Sequence, residues 1–421
     1  MKLKLKIYHY FILYFFLLMG LYHYKVKFYP YWNLIGFNQD SSFELSLGRV
    51  FFATCIFALN LYFLFKIDAN KFIFTVISIF FLLLTVPSLI AFTSGNMYPV
   101  KLMIYHQGFY FMLIVFSKIK INFSGFPVLN KKQGLYLFFI IISIGILPYL
   151  AIYGPYLNLK NLLLIDIYKT RRTIGALSNP YFGYTYSLFT KIVIPLFLIF
   201  SLELKNKIMT GFAILYLLLF YLFGAHKTVY AGLIVVFVFY GLSYYSAIFK
   251  ILKWSNILIV FSVCFAAIGF DLLWIYSFRR VHFIPTLLDI CYLDFFDENH
   301  LYWSNSVLKT FFDYPYDVTH AHLIGEAYFN SPNMDANNGL ISDGFMNWGT
   351  WGVLINCFIV SFYFMVLNSL RIPAKYFGLY LLIIFSFISS STPTVMLTHG
   401  GLALLIISIF ILNESKSAKL H

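Results

Sequence analysis

The sequence predicts an all-α polytopic membrane protein with about twelve transmembrane helices and two large extracytoplasmic loops. Three observations carry that expectation. Of 421 residues, 61% are hydrophobic and only 11% are charged, against about 25% charged in soluble domains. Apolar runs recur along the chain at lengths of about 15–21 residues, near the ~20 that cross a hydrocarbon core. These runs are rich in Phe, Ile, Leu and Tyr and do not alternate polar with apolar, which favours helices over an outer-membrane barrel. The third observation is the distribution of charge, taken up below.

In order, the runs place spans at 7–24, 46–65, 72–92, 100–117, 134–153, 185–202, 208–223, 228–248, 255–275, 347–367, 376–392 and 399–412. The first follows MKLKLK. No small-residue cleavage site comes after it, so it reads as a span rather than a signal peptide. With the N-terminus inside, the inner segments are 1–6, 66–71, 118–133, 203–207, 249–254, 368–375 and 413–421. They hold 17 Lys and Arg and three acids, whereas the rest of the chain holds 13 of each. The whole net charge of +14 thus falls on one face, as the positive-inside rule requires of the cytoplasmic side. Both termini are expected to be cytoplasmic. The basic balance reports topology and gives no reason to expect a nucleic-acid partner. Outside lie two short turns, 93–99 and 224–227, an aromatic loop, 25–45, and two long loops, 154–184 and 276–346. No internal repeat is visible, so 1–421 reads as one membrane domain. The four cysteines form neither a metal-ligand spacing nor a disulfide framework.

The first long loop is basic. Lys160, Lys169, Arg171 and Arg172 face a single acid, Asp166. LNLKNLLLIDIY reads as an interfacial amphipathic helix. Paired arginines suit phosphate, because guanidinium grips phosphate oxygens bidentately and stays charged. The plainer alternative is a pair of headgroup anchors. The turn GAHKTVYAG sets His226 and Lys227 at lipid-phosphate depth, although a lysine there also snorkels without any ligand. Lys191 lies about two turns into span six, a costly position unless it meets a polar cavity or snorkels. Asp271, near the outer end of span nine, raises the same question.

The second long loop carries nine of the sixteen acids, the last of them Asp343 near its end. It also holds Arg279, Arg280, His300, His320 and His322. Loops this long inside compact proteins are functional or disordered, and its aromatic content argues against disorder. THAHLIGEAYF brings His320, His322 and Glu326 together. On a helix His322 and Glu326 share a face, and imidazole and carboxylate are suited to taking a proton from a sugar hydroxyl. Zinc is the rival reading, but no HExxH or comparable ligand pattern is present, so no metal is expected. Then comes MDANNGLISDGFMNWGTWGVLI, which clusters Asp335, Asn337, Asn338 and Asp343 where the chain re-enters the membrane. Gly349 and Gly352 let neighbouring helices approach closely.

On these residues the chain resembles the bacterial O-antigen and capsule polymerases of the Wzy type, which have many spans and two large external loops. Arg172 and Gly183 are separated by ten residues, like the family's Arg-x10-Gly motif. GAHKTVYAGL is similar to the basic turn of related polymerases and ligases, and NNGLISDGFMNWGTWGVL resembles the family's polar re-entry after the second loop. One departure concerns the second loop, where some members repeat the motif. Here Ile290 stands eleven after Arg279 and Cys291 eleven after Arg280.

The resemblance implies glycosyl transfer on the outer face of the bacterial inner membrane. The growing glycan is carried on undecaprenyl pyrophosphate, and the acceptor is a repeat unit on the same lipid. No cofactor is implied. Arg171, Arg172, Lys227, Arg279 and Arg280 would hold the pyrophosphate, Asn338 and Asp343 would contact substrate, and His320, His322 or Glu326 would orient or deprotonate the acceptor. A chain-length regulator and a flippase of the same pathway are the implied protein partners. An O-antigen ligase, using the same donor, is the nearest rival. A lipid-linked glycan flippase or transporter is the more distant one, since transporters favour midplane charges and inverted repeats.

Overall fold

The computed structural model describes residues 2–28, 45–95, 98–123, 126–163, 165–177 and 179–414. Among these, the chain forms helices and no strand. Eight helical stretches are long and apolar enough to cross a membrane: Leu5–Val26, Leu47–Phe65, Phe72–Phe92, Lys131–Tyr156, Pro180–Glu203, Lys207–Gly224, Tyr244–Ala267 and Leu340–Ser369. Val100–Phe116, Ala374–Ser389 and Gly401–Leu412 are apolar but shorter, as is Lys227–Phe239. The chain is therefore a multi-pass, all-helical membrane protein. The expected loop 25–45 falls almost wholly outside the described residues.

Three boundaries move from their expected places, each for a local reason. Span six starts at Pro180, not 185, because Asn179 caps the helix by accepting from the Phe182 N–H, with Pro180 at the first turn. Span eight ends at Phe239, and the next helix starts at Tyr244 behind a Ser243 cap. Gly241 turns the chain there at φ +89°. Lys250 and Lys253 consequently ride on a helix, not in the expected loop 249–254. The expected amphipathic helix in LNLKNLLLIDIY is instead a short 3-10 turn, Leu159–Leu163. Asp166, left-handed at φ 63°, then starts a separate helix, Ile167–Ala176.

The chain divides into two compact units. The first comprises Met1–Lys120, Ser243–Met365 and Ser386–Thr392; the second comprises Ile121–Leu242, Val366–Phe385 and Pro393–His421. In the first, Phe72–Phe92 is the central helix, almost wholly buried. Its rings pack on neighbours, Phe81 stacked on Phe57 and Phe80 edge-on to Phe109. The first helix is tied to the segment before Trp274 by a Lys25–Asp271 ion pair. In a low-dielectric interior neither group is stable alone, which answers the question that Asp271 posed.

In the second unit, Ile194–Glu203 packs between Lys131–Gly145 and Lys207–Gly224. At one end of this unit Glu203 accepts from Lys131 at 3.1 Å and Lys375 at 3.0 Å, and Lys131 also meets Glu414 at 3.4 Å. Four segments that charge assigns to one face, 118–133, 203–207, 368–375 and 413–421, are thus joined. At the far end of Lys207–Gly224, about 27 Å away at 1.5 Å per residue, lies the first long loop.

Candidate functional site

In the second unit, the first long loop and the turn after Lys207–Gly224 enclose a hollow of about 360 Å³. Its position follows from how one helix ends. Ala225 adopts the left-handed conformation at φ 49° and stops Lys207–Gly224. The Ala225 carbonyl then accepts from the Arg171 guanidinium, at 3.0 Å from Nη2 and 3.3 Å from Nε. A cation at a helix C-terminus is favourable by itself, by about 0.3–1 kcal/mol. Helix Ile167–Ala176, which carries Arg171, is fixed from the other side. Asn161 donates to Thr170 at 2.8 Å, and Tyr221 donates its hydroxyl to the Asn161 carbonyl at 2.6 Å.

Aromatic rings make the walls: Tyr153, Phe182, Tyr186 and Phe223. Gly224 is required, since a Cβ there would stand 2.3 Å from the Tyr186 hydroxyl. Gly183 lines the hollow too, with open space where its Cβ would be. The Arg-x10-Gly spacing therefore ends on the hollow at its glycine.

The charge in this hollow is of one sign. His226 lines it beside Arg171. Burial, and then the positive charges of Arg171 and Lys191, hold the His226 imidazole below its usual pKa. Lys191, on the π-helical turn Phe189–Val193, acts on His226 without lining the hollow. None of the residues lining the hollow is a carboxylate. His226 caps Lys227–Phe239 without a side-chain bond to its first turn, so backbone N–H groups add to the positive potential. An anion is the ligand such a setting favours.

Of the expected cationic trio, the hollow takes Arg171. Arg172 follows it on the same helix, about 100° further round, and is exposed. The backbone of Lys227 opens the next helix, but its side chain lies outside the described ones. His226 is the addition, and it stood in the turn already singled out.

The first unit holds the polar residues of the second long loop, and here the geometry is closed. The helix Leu340–Ser369 is broken at Trp348–Gly349, where Gly349 has φ 57° and ψ −140°. The chain folds back on itself at this break, because Asn356 donates to the Leu340 carbonyl at 3.0 Å. Gly344 and Gly352 make that approach possible, since a Cβ on Gly352 would lie 1.9 Å from the Gly344 carbonyl oxygen. The neighbour that Gly352 admits is thus the chain's own preceding turn.

Asp343 is buried at the centre of the fold-back. Its Oδ2 accepts from Asn356 at 2.9 Å and from the Thr392 N–H at 3.1 Å. Its Oδ1 accepts from Asn347 at 3.2 Å and Asn338 at 3.4 Å. Asn338 and Asp343, both expected to touch substrate, are therefore bonded to one another inside the protein. Asn347 passes the order on. Its Oδ1 accepts from the Trp303 N–H at 2.7 Å and its carbonyl from the Tyr302 N–H at 3.1 Å. Tyr302 and Trp303 are both left-handed, at φ 52°. A non-glycine residue there costs about 1–3 kcal/mol, so this stretch is held in place by its surroundings.

No family model, no curated protein and no solved structure matches the chain. Its functional reading rests on these residues.

The remaining candidates separate by their partners. His320 opens helix His320–Phe329. Its Nδ1 is 2.7 Å from Asn305 Nδ2, so the amide donates and the ring proton is on Nε2. Burial lowers this imidazole to about 4, with Asn338 opposing the shift. A ring engaged in this way orients its neighbours and is a weak proton acceptor. His322, two residues on, has its Nε2 3.1 Å from Asp335 at the surface. Glu326 is exposed one turn further along that helix. An imidazole oriented by a carboxylate is the arrangement that suits proton transfer. Arg279 and Arg280 ride on the π-helical stretch Trp274–Phe283, the first half-buried and the second exposed.

Proposed function

We propose that this chain polymerises undecaprenyl-pyrophosphate-linked oligosaccharide repeat units, into O-antigen or capsule, on the outer face of a bacterial cytoplasmic membrane. The observation that carries the reading is the Arg171 hollow. It combines a guanidinium, an imidazole and a helix start with aromatic walls and no lining carboxylate. A lipid diphosphate has the matching parts, two phosphates and an apolar tail.

In the reaction, the acceptor hydroxyl attacks the anomeric carbon of the donor glycan. The new glycosidic bond forms as the bond to the diphosphate breaks, and the lipid diphosphate leaves with the electron pair. Arg171 and its neighbours stabilise that charge as it develops, in a setting where fixed donors are worth most. The departing diphosphate carries off the acceptor proton. We take the four shorter apolar helices to cross the membrane as well, which makes twelve crossings with both termini cytoplasmic. A chain-length regulator and a flippase are the protein partners of such a step.

The test is a deletion strain complemented with variants and examined by lipopolysaccharide or capsule gel. The reading requires glycans capped at a single repeat unit in the deletion, restored ladders with the wild type, and no ladder with Arg171→Ala at equal protein level. A bare core in the deletion strain would point to a ligase instead.

A further inference from the structure

His226 stands in the hollow with its ring nitrogens uncommitted. The imidazole lines the space together with Arg171 and packs on the Tyr186 ring, centroids 5.3 Å apart at 60°. It occupies the N-cap position of Lys227–Phe239, yet its side chain makes no capping bond to that helix. Among the described residues, none hydrogen-bonds its ring.

The groups around it are cationic, neutral or already engaged. Arg171 comes from helix Ile167–Ala176 and Lys191 from the π-helical turn Phe189–Val193, and both oppose a proton on the ring. Tyr186, on helix Pro180–Leu188, donates its hydroxyl to the Phe220 carbonyl at 3.0 Å. Helix Lys207–Gly224 contributes Phe223 and Gly224, which carry no charge, and Tyr153 completes the lining without a carboxylate. With the hollow empty at neutral pH, the imidazole is therefore neutral. It then has one N–H to give and one lone pair.

A diphosphate inverts that balance. It brings two or more negative charges, and opposite charge within ~4–6 Å favours the protonated imidazole. A lone pair facing a phosphate oxygen is repelled, whereas a proton on it makes a charge-assisted donor. We infer that the hollow takes up its diphosphate together with one proton from solvent, carried on His226, so that the ring is a second cationic contact only while the ligand is in place. A lysine would hold its charge in the empty hollow as well. An imidazole ties the charge to the ligand's presence. The plainer account is a ring that only fills space against Tyr186.

This deepens the proposed reaction and rests on that reading for the diphosphate as ligand. Linkage sets the sign. The proton adds to affinity as pH falls through the pKa of the ring in the complex, and the gain is complete below the lower pKa of the ring in the empty hollow.

The test is calorimetric titration of the full chain in nanodiscs with undecaprenyl diphosphate, from pH 8.5 to pH 6. Two buffers of different ionisation enthalpy count the protons taken up. The ligand's own phosphates titrate near about pH 6, so His226→Gln is the reference. His226→Asn is a second reference, and thermal midpoints control for folding. The expected result is more protons taken up per ligand by wild type than by either variant. The ratio of wild-type to variant affinity should grow at least about tenfold from pH 8.5 to pH 6. Equal proton uptake with a constant ratio, or no saturable binding by wild type, overturns the inference. The polymerase reading is judged separately by the glycan ladders. Excess proton uptake by wild type, alongside unaltered glycans in the deletion strain, would sink that reading and leave the proton linkage standing.

Discussion

Arg171 and Asp343 are both polar residues from sequence stretches that look functional, yet the protein treats them in opposite ways. Asp343 has four side-chain or backbone donors on its two oxygens and is sealed from solvent. Arg171 gives two of its N–H groups to one carbonyl and lines an open hollow. The first uses its charge to close the chain on itself. The second has donors left over in a setting without a lining carboxylate. What separates a structural polar group from a ligand-binding one here is how many of its valences the fold already takes.

The sharpest way to break this contrast is to remove the closed centre. Asp343→Ala strands the amides of Asn338, Asn347 and Asn356 and the Thr392 N–H, each a buried donor worth about 1–3 kcal/mol when left unpaired. The expected outcome is collapse of the folded fraction, read by size exclusion and thermal scanning in detergent. A normal melting profile for Asp343→Ala would make it a substrate ligand after all.

Next in size is Arg171→Ala, expected to cost about 100-fold in glycan extension while shifting the thermal midpoint by no more than a few degrees. The lost helix-end contact is worth about 0.3–1 kcal/mol. Arg171→Lys is expected to recover little, because a lysine cannot reproduce the planar fork.

A smaller effect concerns acid. His320 titrates near about 4 in the folded protein but near 6.5 when unfolded. Below pH 6.5 the unfolded chain takes up the proton first, so stability is fully present above that value and falls as pH drops toward 4. The slope is at most about 1.4 kcal/mol per pH unit from this one group. His320→Gln should flatten that part of the stability curve, measured by denaturation between pH 4 and 7.

The smallest changes are expected at Arg172 and Glu326, both exposed. Arg172→Ala and Glu326→Gln should stay within about threefold of wild-type extension. A null phenotype for Arg172→Ala, with Arg171→Ala unaffected, would reverse the order of the two arginines and move the site to the outer face of that helix.

The fold was legible in the sequence where long-range physics repeats along the chain. Apolar runs marked helices, and four of the segments grouped by their lysines and arginines are joined through Lys131, Glu203, Lys375 and Glu414. The Asn179-Pro180 start was written locally and missed because the apolar run begins later. The site was legible in part. Arg171, Gly183 and the His226 turn were visible as residue types, since charged groups and glycines stand out between long apolar runs. Which arginine faces the hollow was not, because that depends on the left-handed Asp166 that sets the phase of the helix. The burial of Asp343 was also hidden, since it needs a helix that folds back at Gly349, and a glycine in an apolar run reads equally well as a packing contact.

The most direct measurement is binding of undecaprenyl diphosphate to the full chain in nanodiscs, for wild type, Arg171→Ala and Arg172→Ala. Saturable binding by wild type and Arg172→Ala, weakened at least tenfold in Arg171→Ala, is the expected result. Equal affinity in wild type and Arg171→Ala would contradict the assignment of the hollow to the diphosphate.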